Sequence, residues 1–275
     1  MTLDPTLRIA LEVLRPYLAD IVIAGGWVPY LFAAYLPPSE EAVGLKTRDL
    51  DLAVPREIPE RDKTIDQLLA EADFTCEFRS LGTPPVTVYL APHAGGEVEI
   101  EFITAARGAD PGARSVQHGL TAQELRYVEL LLEHTWRLPL DALTAEEMEG
   151  SVRVPTPAAF ILQKALSRSK RTDSPKREKD LYYIFYVMDA FRDWHRWIGE
   201  EFKTLATTRR SWFRRASQDL EAACEIPYSL GVDALLHQRP GTAYSGLDDD
   251  QFRQYAWSVM QALLDMMRVG LSAGT

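Results

Sequence analysis

One stretch, Ile21 to Val54, constrains this chain more than any other. It begins with an apolar run, Ile21-Val22-Ile23-Ala24, that stops at Gly25-Gly26. So short a run, bounded by paired glycines, reads as a buried strand. The segment Trp27 to Tyr35 then has a helical pattern, with Pro29 suited to a first helical turn. A polar loop, Leu36 to Lys46, leads to a second strand, Asp49 to Val54, in which acidic and apolar residues alternate as Asp49-Leu50-Asp51-Leu52. Successive strand side chains point to opposite faces, so Asp49 and Asp51 share a face roughly 6.5–7 Å apart. Two carboxylates placed this way repel unless they face water or share a cation. Hard divalent cations are the ions that such oxygens suit.

The remaining residues must build a body around this stretch. With 275 residues, 46% hydrophobic and 25% charged, the chain has the composition of an ordinary globular protein, enough for one large domain or two medium ones. No apolar run approaches the ~20 residues of a membrane span. The opening MTLDPTLRIALEVLRPYL lacks a basic n-region and a small-residue cleavage site, so neither a signal peptide nor a membrane is expected. Cys76 and Cys224 lie far apart with no metal or redox spacing, which fits two reduced thiols in a cytoplasmic protein. A net charge of -10 argues against a surface that grips nucleic acid broadly, and leaves room for a local basic patch.

Along the chain, Asp4-Pro5 reads as an N-cap and helix-start proline for a short helix reaching about Leu18. Glycines between a strand and a helix let backbone N–H groups approach a phosphate, which gives Gly25 and Gly26 a candidate role. Lys46 and Arg48 precede Asp49 and balance its charge. Ile65 to Ala72 is an amphipathic helix, and Thr87 to Leu90 a short strand. After Gly95-Gly96 the segment Glu97 to Ile103 alternates Glu97, Glu99 and Glu101 with apolar residues. Alone it reads as an edge strand with a solvated acidic face. Beside the Asp49/Asp51 strand, one glutamate would complete a three-carboxylate cluster: Glu101 by preference, because of its apolar neighbours, with Glu99 on the same face as the alternate. Tyr127 to Leu132 and Thr135 to Leu140 read as further strands, Thr144 to Glu147 as a capping box, and Val152 to Pro155 as a short extended entry.

From Thr156-Pro157 onward the chain reads as helical. On the first of these helices Lys164 sits among apolar positions, as a snorkelling lysine or as a functional one. A concentrated basic loop follows, from Arg168 to Lys179, and runs into a helix from Asp180 to about Trp197. Trp212-Phe213 among arginines reads best as an amphipathic helix with a basic outer side, and Asp248 to Asp250 as the acidic first turn of the last helix.

These motifs together resemble the nucleotidyltransferase superfamily with a polymerase-beta-like core. The strand, glycine turn and helix appear as Ala24-Gly25-Gly26-Trp27, and the Asp-x-Asp strand as Arg48-Asp49-Leu50-Asp51-Leu52. Lys164, Arg168 and Lys179-Asp180 resemble the Lys and Lys-Asp motifs of the AbiEii/MenT-like branch, and of uncharacterised bacterial proteins with this fold. The resemblance spans about residues 20 to 190. It implies an α+β fold: a mixed sheet flanked by helices over residues 1–150, then a helical domain over 151–275 that contributes Lys164 and Lys179-Asp180 to a cleft. It implies transfer of a nucleoside monophosphate from an NTP, such as ATP, to a hydroxyl of RNA, protein or a small molecule, with release of pyrophosphate. Asp49, Asp51 and Glu101 would hold Mg²⁺ or Mn²⁺. Gly25, Gly26, Arg48, Lys164 and Lys179 would bind the nucleotide, and Asp180 would position Lys164 or the acceptor. The resemblance also admits an inactive nucleotide- or partner-binding module, or a toxin with an antitoxin-like partner.

Overall fold

A computed structural model of the chain describes residues 4–33, 36–39, 42–45, 47, 49–80, 83–93, 96–108, 112–140 and 150–273. Lys46, Arg48, Gly95 and the expected capping box at 144–147 lie outside the described residues. The chain forms two compact units: Met1–Ala34 with Lys46–Thr156, and Tyr35–Leu45 with Pro157–Thr275.

In the first unit the order is α1 (Pro5–Val13), a 3-10 turn (Arg15–Tyr17), β1 (Val22–Ile23), α2 (Trp27–Phe32), β2 (Asp49–Ala53), α3 (Ile65–Glu71), β3 (Thr75–Arg79), β4 (Val86–His93), β5 (Gly96–Ala105), β6 (Ala113–Gln117), β7 (Leu120–Leu125), α4 (Val128–Glu133), β8 (Thr135–Pro139) and β9 (Ser151–Pro155). The strands make one mixed sheet, β3-β4-β5-β2-β1-β9-β8, with β7 joined to β5 and β6 to β7. β2 runs parallel to β5, and β1 parallel to β9 but antiparallel to β2. Ile21 to Ala24 are buried throughout. A strand covered on both faces needs no polar alternation, which is why this run has none.

One expected strand is a helix. Tyr127–Leu132 turns into α4, entered through Tyr127 in the left-handed region (φ 69). Val128 and Leu131 of α4 pack on Val22, Ala24, Ala53 and Ile103. An apolar run this short fits either state, and its docking on the sheet selects the helix. Three strands, β3, β6 and β7, have no counterpart in the sequence reading. The residues expected as an extended entry at 152–155 are a full sheet strand, β9. The capping box of α3 is present, with the Thr64 hydroxyl accepting from the Gln67 N–H and the Gln67 side chain accepting from the Thr64 N–H.

The second unit is helical: α5 (Pro157–Arg168), α6 (Ser174–Ala190), a 3-10 turn (Arg192–Trp194), α7 (His195–Thr208), α8 (Arg210–Ala223), α9 (Leu230–Gln238) and α10 (Asp249–Ala273). The second half of the expected basic loop, Ser174 to Lys179, lies in the opening turns of α6. Asp173 caps that helix by accepting from the Lys176 N–H at 3.4 Å, and Pro175 sits in its first turn. From Leu181 to Phe191 this helix is buried on every side rather than along one stripe. Residues 36–39 and 42–45 contact it: the Ser39 N–H donates to the Ala190 carbonyl at 3.3 Å, and the Tyr182 hydroxyl to the Val43 carbonyl at 2.9 Å. Among the described residues no helix is long and apolar enough to cross a membrane.

Candidate active site

The parallel pairing of β2 with β5 sets Asp49 against Glu99 and Asp51 against Glu101. Because the register is even, all four acidic side chains leave the sheet on one face, while Leu50, Leu52, Ile100 and Phe102 are buried on the other. Both candidate glutamates for the expected third carboxylate stand beside the Asp strand. Glu101 is the partner of Asp51, and Glu99 the partner of Asp49.

Gly25 closes the site from β1. It lies in the left-handed region (φ +63), and a Cβ placed on it would fall 1.9 Å from Asp51 Oδ2. Glycine alone meets both demands, since no other residue both reaches this φ without strain and leaves the carboxylate its space. The Ala24 N–H donates to the Asp51 carbonyl at 2.8 Å, which pins the turn to β2. Just beyond, Trp27 is buried, and among the described residues its Nε1–H has no acceptor.

Arg79 of β3 was not foreseen. Its guanidinium grips Glu99 with both arms, the longer at 2.9 Å, and reaches Glu101 at 3.3 Å. Glu99 is held below the usual carboxylate range: burial raises it, but hydrogen bonds from Arg79 and with Glu101 outweigh that. Glu101 is pushed up to about 7 by burial first, then by its hydrogen bond with Glu99 and the negative charges of Asp51 and Glu99, against the pull of Arg79. One glutamate therefore stays ionised on the arginine, and the other keeps a proton near neutrality. The only hint of this in the sequence is the short alternation Thr75-Cys76-Glu77-Phe78-Arg79, whose place two strands from β5 follows from the sheet order.

The donor chemistry fits a hard divalent cation. Carboxylate oxygens lie in register on adjacent strands, and a bare backbone leaves Asp51 accessible. Among the described residues, however, no three acidic, His or Cys side chains already converge as a metal shell. Arg79 supplies the positive charge near Glu99 and Glu101 instead.

In the helical unit Lys164 and Asp180 meet. Lys164 Nζ donates to Asp180 Oδ1 at 2.9 Å, and Arg171 Nε to Oδ2 at 2.6 Å. Lys164 and Asp180 are both buried. The rings of Phe160 and Tyr183 lie 5.6 and 5.2 Å from Lys164 Nζ, and Lys179 Nζ lies 5.7 Å from the Tyr183 ring. Two cations thus share one carboxylate, an arrangement with surplus positive charge.

Comparison with known proteins adds a family. The family model described as Nucleotidyltransferase matches residues 10–206. No curated protein matches the sequence. Among solved structures, an antigenic nucleotidyltransferase-like protein from Paracoccidioides brasiliensis matches at 17% identity and a TM-score of 0.38, over 66% of this chain and 74% of that one.

Proposed function

The chain belongs to the nucleotidyltransferase family, and from that premise we propose that it moves a nucleoside monophosphate from an NTP to an acceptor hydroxyl, releasing pyrophosphate. The observation that carries this reading is the in-register set of four carboxylates on β2 and β5, closed by a glycine that no side chain could replace. Phosphoryl chemistry needs little covalent help from a protein. It needs positioning and compensation of charge on the attacking and leaving oxygens. Asp49, Asp51 and Glu101 would hold Mg²⁺ or Mn²⁺, which when bound would supply that compensation. Glu101, with a proton affinity near neutrality, is matched to accept the proton of the acceptor hydroxyl. The Gly25-Gly26 turn offers backbone to the triphosphate. On the helical unit, the same reading gives Lys164 and Lys179 a phosphate-binding role, with Asp180 fixing Lys164. The AbiEii/MenT-like branch, and with it a toxin role, belongs to this proposal as well.

A second reading, a nucleotide-binding module without turnover, draws support from Arg79, which already neutralises Glu99 and touches Glu101. One experiment separates the two. Each α-labelled NTP is incubated with Mg²⁺ and with total RNA, lysate protein or a small-molecule pool, using wild type and Asp51→Asn. The transfer reading expects label in one pool with wild type, reduced by two to three orders of magnitude in Asp51→Asn, about 3–4 kcal/mol of transition-state stabilisation. Retained NTP binding with no label in any pool would favour the module. Full activity in Asp51→Asn would remove the site assignment.

A further inference from the structure

Within the helical unit, α5, α6, α8 and α9 line a cavity of about 470 Å³. That volume falls inside the roughly 300–1,000 Å³ of pockets that hold small organic ligands. α6 lines it with Ser174, Arg177, Glu178 and Leu181, and α9 with Leu230, Asp233, Ala234 and His237. Both sets follow the i, i+3, i+4, i+7 spacing of a single helical face. α8 adds Asp219, Ala222 and Ala223, and α5 the buried Arg168. The alanines on α8 and α9 are too small to fill the space between the helices. The walls themselves are tightly packed: a Cβ on Gly231 would fall 2.3 Å from the Ala223 carbonyl oxygen, so α9 begins hard against the end of α8.

Most of the charges around the cavity are matched within the fold. Arg168 pairs with Asp219, and Arg253 of α10 with Asp233 at 2.9 Å. Arg177 and Glu178 remain. Among the described residues Arg177 has no acidic partner, and Glu178 accepts only from neutral groups, the Ser174 hydroxyl at 2.9 Å and the Gln238 amide at 3.4 Å. A free guanidinium and an uncompensated carboxylate thus stand side by side on α6, in a cavity whose apolar wall is Leu181, Ala222, Ala223 and Ala234. Leu230 borders the same cavity and is 88% exposed, with Tyr228 and Ile226 also exposed in the loop that joins α8 to α9. Apolar surface held in water at a cavity is stabilised when an apolar group covers it. We infer that this cavity binds a free α-amino acid with a large apolar side chain. Such a ligand carries its carboxylate and its ammonium on one carbon, as the adjacent Arg177 and Glu178 require, and its side chain meets the alanine wall and Leu230. A guanidinium fork takes a carboxylate through two parallel N–H donors. A simple anion would face the carboxylates of Glu178, Asp219 and Asp233, and a peptide terminus offers only one of the two charges. The inference goes beyond the transfer reading and does not depend on it.

The test is calorimetric titration of the full chain with L-phenylalanine, L-leucine and glycine, and with N-acetyl-L-phenylalanine and L-phenylalaninamide, which each lack one of the two charges. Saturable binding of L-phenylalanine or L-leucine is expected at one site, with glycine and both blocked derivatives weaker by about tenfold or more. Arg177→Gln and Glu178→Gln are each expected to weaken binding by about tenfold or more, and Leu230→Ser several-fold. Arg177 and Leu230 are exposed, so their variants should leave the ligand-free melting temperature unchanged. No saturable binding of either apolar amino acid up to millimolar concentration overturns the inference. So does binding that all three variants leave intact, which would put the ligand elsewhere. Blocked derivatives that bind as tightly as free L-phenylalanine would also overturn it and mark a plain apolar cavity.

Discussion

Between Asp51 and Glu99, the Glu101 carboxyl keeps its proton to about pH 7, first because it is buried and then because its neighbours are negative. In the unfolded chain it ionises near 4.5. The folded state therefore binds this proton more tightly, and the resulting stability is complete below about 4.5 and lost as pH rises through about 7. Glu101→Gln cannot undergo that loss. Calorimetry in EDTA should show the variant melting above wild type at pH 8, with the gap closing towards pH 5; a gap equal at both values would show that ionisation of Glu101 is not its cause. Asp189 makes the opposite case, a buried carboxylate fully used. It accepts hydrogen bonds from the Tyr244 and Tyr255 hydroxyls and from Arg192. Asp189→Ala strands the buried Tyr244 hydroxyl and takes one acceptor from Tyr255, whose hydroxyl still accepts from Arg192, and should cost about 2 kcal/mol in urea unfolding, most of it from Tyr244, since Arg192 is largely exposed. A cost under about 1 kcal/mol would mean that water replaces the carboxylate.

At the scale of elements, α5 and α6 are joined by the Lys164–Asp180–Arg171 group, and its asymmetry is testable. Asp180→Asn leaves two cations around a buried site, whereas Lys164→Met leaves Asp180 still paired with Arg171. Removing one partner of a buried pair costs roughly 3–5 kcal/mol, so Asp180→Asn should fall in that range and Lys164→Met clearly below it. Equal losses in urea would mean that Arg171, about a third exposed, does not hold the carboxylate. If Lys164 also serves the nucleotide, Lys164→Met weakens NTP binding beyond what its small stability loss explains. The elements that could be read in the sequence are those written in local signals: the Gly25-Gly26 turn, the alternating acids of β2 and β5, and the Thr156-Pro157 start of α5. The N-cap Asp173 was equally local, but the surrounding charges masked it. Arg79 was not legible, because strand order and register bring it into place and neither is encoded within one segment. Tyr127 to Leu132 misled because its apolar run satisfies helix and strand alike, and packing against β1, β2 and β5 decides.

For the molecule as a whole, the two cysteines fall one in each unit and report on very different surroundings. Cys76, on the edge strand β3, is only partly covered. Burial and then the charge of Asp66 raise its thiol above the ordinary value, so in native buffer it should react with a disulfide reagent, but more slowly than a free thiol. Cys224 closes α8 inside the helical unit, fully buried, with its thiol pushed up to about 12 mainly by burial. A thiol that is both inaccessible and protonated cannot attack a reagent, so Cys224 should react only when the helices around it open. One equivalent of thiol is therefore expected in native buffer and a second across the urea transition, with Cys76→Ser removing the first and Cys224→Ser the second. Because opening sets the second rate, its dependence on urea measures the surface exposed when the helical unit unfolds. Two equivalents reacting at once in native buffer would show that the helical core opens far more readily than its burial allows.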